Sequence, residues 1–175
     1  MAVSGNISAP DPGRDRGSAV ACVTLWHGTS ADIDVIDHDR ISREGLHVGT
    51  RMQADMRARG VVLEVRVDLG RSRRCRDSGG NWGRRIRAAR AAGYDSIVYL
   101  NRWEGIPAER IDALAASGDL SKLDALSDTE FRKLVPEAAD SFIILHGNDI
   151  RVLSRIDLTS TPTPDEEGLW NALHQ

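Results

Sequence analysis

The feature that most constrains the fold is a run at residues 61–67 in which aliphatic side chains recur at every second position. The recurring residues are Val61, Leu63, Val65 and Val67. The positions between them are Val62, Glu64 and Arg66, and the alternation is the pattern of a β-strand with one buried face and one face towards solvent. Such a strand needs partner strands and a hydrophobic layer against its aliphatic face, so the chain is expected to fold around a sheet.

Shorter runs of strand-forming residues and several helical patterns surround this strand. We predict further strands at 21–26, 46–48, 96–100, 141–145 and, at a sheet edge, 149–153. We predict helices at 51–59 and 81–92. Thr50 is the expected N-cap of the first helix and Gly60 its expected end, whereas Gly93 ends the second. The mixture predicts an α+β fold with a small, mainly antiparallel sheet and flanking helices.

A polar segment at about 106–139 has the pattern of a helical insertion. Its apolar anchors are Leu114, Leu120, Leu123, Leu126, Phe131 and Leu134. Asp112, Ser121 and Ser127 are candidate helix caps. Two interpretations are open, because such an insertion can cover or recognise a substrate, or can simply pack against the domain.

The ends of the chain differ in composition from its middle. Residues 1–18 are rich in Gly, Ser, Pro, Asp and Arg, which predicts a flexible N-terminal tail. Residues 159–175 begin with a polar stretch and are predicted to form a C-terminal extension. The 19–158 segment is of the size expected for one domain with its own core.

Charge and cysteine content restrict the classes of partner. A formal net charge of −3 argues weakly against a dedicated nucleic-acid-binding protein, which needs a concentrated basic surface. Cys22 and Cys75 have no metal-ligand spacing, so no metal site is expected, and the reducing cytoplasm is the natural compartment. We recognise no signal peptide and no run of about 20 apolar residues, so no membrane partner is expected.

The first of four stretches that could carry chemistry is the His-Gly-Thr sequence at 27–29, where a predicted strand ends. Gly28 would let a planar ring approach the backbone. His27 could donate a hydrogen bond to a ribose hydroxyl or an amide oxygen. A capped turn with Thr29 or Ser30 as the cap is an alternative of equal weight.

The second stretch is residues 45–54, in which His47 lies in a glycine-flanked short strand followed directly by a helix. The histidine could face a cleft, and a helix N-terminus favours anionic groups. From these residues alone, a histidine on the exposed side of a short strand is the preferred alternative.

The third and fourth stretches each place a carboxylate near a strand end. Glu104 follows the strand at 96–100 and could orient a ribose or stabilise a cationic transition state. The alternative is a solvated loop carboxylate, the commoner fate of a single Glu. Asp140 and Ser141 open the strand at 141–145, where Asp140 could equally be a turn residue.

Taken in this order, the four stretches resemble the ADP-ribosyltransferase superfamily, and most of all its small bacterial and phage-associated members. Those members carry a His-Gly-Thr strand, a Gly-x-His-Phe-Gly-Thr strand followed by Gln-Ala, a Gly-Tyr-Asp-Gly-Ile-Val-Tyr strand followed by a Glu, and an Asp-Ser-Tyr-Ile-Val strand. This chain has Val48 for the Phe, Ser96 for the Gly and Phe142 for the Tyr. The similarity spans about residues 23–153 and implies a split sheet with an NAD-binding cleft.

The resemblance also implies roles for individual residues. His27 matches the position that contacts the nicotinamide ribose, and Gly28 matches the residue whose backbone holds the nicotinamide amide. His47 stands where many members have a tyrosine that stacks on nicotinamide. The third active-site position, a Glu or Asp in many members, matches Ser141, with Asp140 and Glu104 as alternatives; Glu104 is preferred over Asp140. The implied catalytic residues are His27, His47, Glu104, Asp140 and Ser141, and the implied NAD-binding residues are His27, Gly28, Thr29, His47, Thr50 and Arg51.

The function that the resemblance implies is mono-ADP-ribosyl transfer from NAD to a macromolecular acceptor, with protein as the favoured class, in a toxin or a phage or defence effector. One alternative is an RNA 2′-phosphotransferase-like enzyme, and another is a degenerate domain that only binds NAD, ADP-ribose or a protein. Nucleic acid could bind through an arginine cluster between positions 71 and 90. Its members are Arg71, Arg73, Arg74, Arg76, Arg84, Arg85, Arg87 and Arg90. A solvated loop and helix face is the favoured reading of that cluster.

Overall fold

The computed structural model of the chain describes residues 22–29, 38–77, 79–80, 82–146 and 150–158. The predicted N-terminal tail at 1–18 and the C-terminal extension at 159–175 lie outside these residues. The strands are β1 (Cys22–Thr29), β2 (Leu46–Val48), β3 (Val61–Asp68), β4 (Ser72–Arg74), β5 (Ser96–Leu100), β6 (Asp140–Ile144) and β7 (Ile150–Asp157). The helices are α1 (His38–Glu44), α2 (Arg51–Arg57), α3 (Trp82–Ala91), α4 (Ala108–Ser117) and α5 (Asp128–Leu134), with a 3-10 turn at Leu120–Ala125.

The described strands form two sheets. The first sheet has the order β1-β3-β7, and both of its pairings are antiparallel. The second sheet has the order β2-β6-β5-β4, in which β4 runs parallel to β5 and the other pairs are antiparallel. The predicted mixed α+β class with mainly antiparallel pairing is therefore confirmed.

Among the described residues, backbone hydrogen bonds of a β-bridge join the two sheets at one point. The backbone N–H of Trp26 donates to the carbonyl of Gly49, and the N–H of Gly49 donates to the carbonyl of Trp26, both at 2.9 Å. Within the described residues this is the one isolated β-bridge, and it joins β1 of the first sheet to the residue that follows β2 of the second.

Strand β3, which carries the alternating aliphatic residues, is central to the first sheet. Its predicted buried residues, including Val61 and Leu63, are all in the core and pack against Ile41 and Ile144. Val62 was expected on the solvent face, but it is completely buried. Helix α2 packs against β1 at Gly28, the cross-strand partner of Val62, and so covers this end of the outer face.

Two further hydrophobic clusters form the core beside the second sheet and beneath the insertion. Ile86 and Ala89 of α3 pack on Ile97, Tyr99 and Ile143 of the sheet. The insertion packs on Leu100 at the end of β5 through a third cluster, formed by Ile106, Leu114, Phe131, Val135 and Ala138. The buried guanidinium of Arg102 donates to the carbonyls of Leu123 and Leu126 and to Asp128, and so ties the insertion to the end of β5.

Several predicted boundaries need correction. Helix α2 ends at Arg57 rather than at residue 59, because Ala58 is already extended, with φ −71° and ψ 138°. Gly60 therefore does not end the helix; its carbonyl accepts from the N–H of Leu158 beside the first sheet. The first strand extends to Thr29, and the last one begins at Ile150 and continues to Asp157.

Predictions inside the insertion were partly correct. Ser127 caps α5 through a capping box with Glu130, as predicted. Asp112 and Ser121 are not caps, since Asp112 lies within α4 and Ser121 within the 3-10 turn. Among the predicted anchors Leu114 and Phe131 are buried, whereas Leu120 and Leu134 are exposed.

Candidate active site

A cleft with about 240 Å³ of empty space, part of it open solvent at the mouth, lies beside the bridge between the two sheets. Side chains or backbone from all four candidate stretches line it, because β1, β2, the end of β5 and β6 converge there. The lining residues used below are Gly28, His47, Gln53, Arg57, Tyr99, Glu104 and Ser141. The ordered set of motifs is therefore also a spatial cluster.

Gly28 is required for close packing. A methyl group on this residue would lie 2.1 Å from the carbonyl oxygen of Ala54 and 2.9 Å from the backbone nitrogen of Ala58. The approach that Gly28 permits in this structure is thus that of helix α2, whereas the sequence pointed to a ligand ring. Its backbone still contributes to the wall of the cleft.

His27 lies beside the cleft and is not among its lining residues. Its Nδ1 atom is 2.7 Å from the carbonyl oxygen of His47. Because a carbonyl can only accept, Nδ1 carries the proton and donates. Burial is the main cause that lowers the pKa of His27, and the positive charges of Arg57 and Arg40 add to it. The neutral ring therefore keeps its lone pair on Nε2, which accepts rather than donates as first expected.

His47 and two aromatic residues form one wall of the site. The Nδ1 atom of His47 is 3.4 Å from the hydroxyl oxygen of Tyr99. The Trp82 ring packs on Tyr99 with centroids 4.4 Å apart and meets His47 edge-on at 6.1 Å. His47 faces this cluster, so the alternative of an outward-facing histidine is wrong.

Burial keeps both polar members of this wall neutral. It lowers the pKa of His47 to about 4, with smaller contributions from the charges of Arg57 and His27. Burial also raises the pKa of Tyr99 to about 12, and the carboxylates of Glu104 and Asp77 act in the same direction. At neutral pH the wall is therefore uncharged.

Glu104 is held in the cleft by the loop that follows β5. The Oδ1 atom of Asn101 accepts from the N–H groups of Trp103 and Glu104, at 3.1 and 2.9 Å. The Nδ2 group of Asn101 donates to Glu104 Oε2 at 2.8 Å. The other carboxylate oxygen, Oε1, lies 3.1 Å from Nη1 of Arg57. Among the described residues that line the cleft, Glu104 supplies the one carboxylate.

Ser141 forms the floor of the cleft and is buried. Its hydroxyl donates to Gln53 Oε1 at 3.0 Å and accepts from Asn101 Nδ2 at 3.0 Å. Gln53 also accepts from the N–H of Thr50 at 2.8 Å and donates to the carbonyl of Ala139 at 3.2 Å. The hydroxyl proton of Ser141 is thus committed to Gln53, and the residue connects α2 to the loop that holds Glu104.

Asp140 lies on the other face of β6, because successive side chains of a strand alternate. Arg74 donates to both of its carboxylate oxygens at 2.8 to 3.1 Å, and Arg132 donates to Oδ1 at 2.8 Å. Asp140 is not among the lining residues of the cleft. The structure therefore does not bring this candidate acid together with His47 and Glu104.

Three residues expected to bind NAD lie next to the cleft rather than in its wall. Thr50 caps α2, as predicted, by accepting from the N–H of Gln53 at 3.2 Å. Arg51 pairs with Asp55 and lies over the Trp26 ring at 4.8 Å. Thr29 follows Gly28, and its carbonyl accepts from the N–H of Arg59 at 3.3 Å.

Sequence reasoning did not single out Gln53, Arg57, Tyr99 and Asn101 as site residues. Gln53 carries a signal, since it is the third residue after the N-cap Thr50 and completes a capping box. Tyr99 also carries a sequence signal, because it shares a strand face with the core residue Ile97 and lies near the end of the strand. Arg57 has no local signal and is identified by the fold alone.

Most of the arginine cluster bonds within the protein. Arg90 donates to the carbonyls of Ile41 and Leu145, at 2.6 and 2.9 Å. Arg71 lies over Tyr94 and Arg85 over Trp82, at 4.3 and 5.0 Å. Arg74 holds Asp140, as described above. These contacts favour a structural role for the cluster, and binding of nucleic acid remains a prediction.

No protein-family model, no curated protein and no solved structure matches this chain. Over the described part of the chain, no helix is both long and apolar enough to cross a membrane. The chemistry of the cleft is therefore the basis for assigning a function.

Proposed function

We propose that this chain is a mono-ADP-ribosyltransferase that uses NAD as co-substrate and a protein as acceptor. The observation that carries the proposal is the Glu104 carboxylate, held by Asn101 in the same cleft as the neutral side chains of His47 and Tyr99. The resemblance of the four motifs to the superfamily supports it, as does the cleft at the division between two sheets.

The charge states of the wall suit a nicotinamide ring. The nicotinamide of NAD is cationic, so an imidazolium beside it would be repulsive. A pKa of about 4 keeps His47 neutral, and Tyr99 provides an additional uncharged aromatic surface. The cleft is open to solvent, so we assign it to the nicotinamide end of NAD, with the rest of the molecule lying outside.

The reaction then needs one well-placed carboxylate. The bond between the nicotinamide nitrogen and ribose C1′ breaks, and its electron pair leaves with neutral nicotinamide. Glu104 stabilises the oxocarbenium-like ribose while the bond from the acceptor to C1′ forms. The proton lost by the acceptor passes to the carboxylate or to water. Asn101 keeps Glu104 oriented, and such pre-organisation is what makes an electrostatic contribution effective.

The roles that we assign to His27 and Ser141 follow from the hydrogen bonds that each of them makes. Nε2 of His27 is the acceptor that we assign to a ribose hydroxyl, since Nδ1 is already bonded to the backbone of His47. We assign Ser141 a positioning role, because its hydroxyl is hydrogen-bonded to both Gln53 and Asn101. The third active-site position is therefore proposed to be Glu104.

Incubation of the full chain with labelled NAD and cell lysate tests the proposal. We expect release of nicotinamide and transfer of label to protein, and a rate about 10²–10³-fold lower for Glu104→Gln, which keeps size and removes charge. Arg59→Ala is a suitable surface control. Absence of both products with the wild type would overturn the proposal.

Two further readouts separate the alternatives. Conversion of 2′-phosphorylated RNA in the presence of NAD would indicate the phosphotransferase-like activity instead. Binding of NAD without any cleavage, in the presence of lysate, would indicate a degenerate binding domain.

A further inference from the structure

The Glu104 carboxylate has two very different partners. Its inner oxygen, Oε2, is bonded to Asn101, a neutral side chain that is 2% exposed and makes three further hydrogen bonds. Its outer oxygen, Oε1, is bonded to the charged Arg57, whose side chain is 51% exposed. One partner is thus fixed in the protein, whereas the other stands at the mouth of the cleft.

We infer that Arg57 binds the phosphate of the nicotinamide nucleotide, and that its ion pair with Glu104 masks the carboxylate until a phosphate displaces it. This inference rests on the proposed function. It makes Arg57 a specificity-determining residue that distinguishes phosphate-bearing nicotinamide nucleotides from the phosphate-free nucleoside.

The position of Arg57 fits such an exchange. Arg57 is the last residue of α2 and lines the same cleft as His47 and Glu104. Its positive charge lowers the pKa of both His27 and His47, so the guanidinium acts on the region assigned to the nicotinamide ribose. The phosphate nearest that ribose would therefore come within reach of the same charge.

The strength of the ion pair also fits. An ion pair this exposed is weak, and breaking it changes the binding equilibrium of a ligand that must displace it by roughly fivefold at most. A guanidinium can bind a phosphate through two parallel hydrogen bonds, which are stronger. Phosphate therefore competes successfully for Arg57, and the released Oε1 can face the reacting C1′ while Asn101 still holds Oε2.

The sharpest kinetic test compares nicotinamide mononucleotide with nicotinamide riboside, which differ by one phosphate. We expect the wild type to prefer the mononucleotide. Arg57→Ala should lower kcat/KM for the mononucleotide about 10- to 100-fold, and should raise it for the riboside by up to about fivefold, because Glu104 is unmasked. Arg59→Ala removes the same charge from the same stretch and should change neither value.

A binding measurement tests the exchange without catalysis. Titration with ADP-ribose should show about two- to fivefold tighter binding to Glu104→Gln than to wild type, because Arg57 is no longer paired. The double variant Arg57→Ala/Glu104→Gln should lose this gain and bind no better than Arg57→Ala.

The outcomes distinguish this inference from the proposed function. If wild type cleaves NAD but Arg57→Ala lowers mononucleotide and riboside cleavage equally, Arg57 supports the cleft and does not read phosphate. Unchanged ADP-ribose affinity in Glu104→Gln would overturn the masking. If wild type neither cleaves NAD nor binds ADP-ribose, the proposed function fails, and the inference falls with it.

Discussion

The two faces of β6 place neighbouring residues in opposite situations. Ser141 faces the cleft and shares its hydroxyl with Gln53 and Asn101, which in turn hold Glu104. Asp140 faces away and is bonded by Arg74 and Arg132 from β4 and α5. Asp140 is thus held by two guanidinium groups, whereas Glu104 has one buried neutral partner, Asn101, and one charged partner, Arg57. The two carboxylates are equally exposed, so what distinguishes them is the strand face and the number of cationic partners, which their place in a motif does not reveal.

The largest effect is expected on enzymatic activity, where variants of Glu104 and Asp140 should differ. Glu104→Gln should lower the rate of NAD cleavage about 10²–10³-fold with little loss of stability. Asp140→Asn should keep the rate within about threefold but lower the free energy of unfolding by about 1 kcal/mol, because both arginines lose a partly exposed ionic partner. Nicotinamide release and urea unfolding measure the two effects. A greater loss of activity in Asp140→Asn would remove the distinction between the faces.

The burial of His47 beside the cleft should also make the stability of the protein depend on pH. The pKa of His47 is about 4 in the folded chain and 6.5 as the ordinary value, so the unfolded state takes up its proton first as the pH falls. The contribution of His47 is complete above pH 6.5 and is lost between pH 6.5 and 4, up to about 3 kcal/mol. Urea unfolding across this range should show a smaller loss for His47→Gln. Equal slopes for both proteins would contradict the burial of a neutral His47.

A smaller effect is expected where Gly49 meets the floor of the cleft. A methyl group there would lie 2.1 Å from Gln53 Oε1 and 2.9 Å from Ser141 Oγ, so the network must shift. Gly49→Ala should lower stability by about 1–3 kcal/mol and should also lower activity. Gly83→Ala lies on helix α3, where the added methyl would meet the flexible Arg87 side chain at an ordinary 3.5 Å, and should instead stabilise by about 0.5–1 kcal/mol. If both variants behave alike in thermal unfolding and turnover, the floor is not tightly packed.

The smallest effect tests the role of Ser141 itself. Ser141→Ala removes one donor and one acceptor from a buried network, which costs about 1 kcal/mol. We expect a few-fold decrease in kcat, because Asn101 still holds Glu104 directly. A decrease as large as that of Glu104→Gln would show instead that the hydroxyl takes part in the reaction. Steady-state kinetics of the two variants decides between these roles.

Local patterns were sufficient for much of the fold. The alternation at 61–67 identified a strand whose predicted aliphatic face is buried, and Thr50 and Ser127 were recognised as caps from their own neighbourhoods. The burial of Val62 was not predictable, because it depends on α2 packing across β1. The end of α2 was also misplaced, since the chain already leaves the helix at Ala58, two residues before the glycine that was expected to end it.

The sequence predicted which stretches of the chain form the site, but it did not predict the role of each residue within them. Their order brought His47, Glu104 and Ser141 to one cleft, but the choice among Glu104, Asp140 and Ser141 depended on strand faces and on distant partners. Arg57 could not be found at all, because its relation to Glu104 arises from residues 47 positions apart meeting in space. Such contacts are tertiary and leave no periodic trace in the chain.

The order of strands in the first sheet also affects how fast the protein can form. Strand β3 is flanked by β1 and by β7, so that Val67 pairs with Ile150 and Val61 with Asp157. These pairings join distant parts of the chain, and the entropy of closing such long loops is lost before the contacts are gained. We therefore expect folding in the slow, millisecond-to-second range of sheet proteins. During that interval the edges of β3 are unpaired, and this is when the chain is most exposed to aggregation.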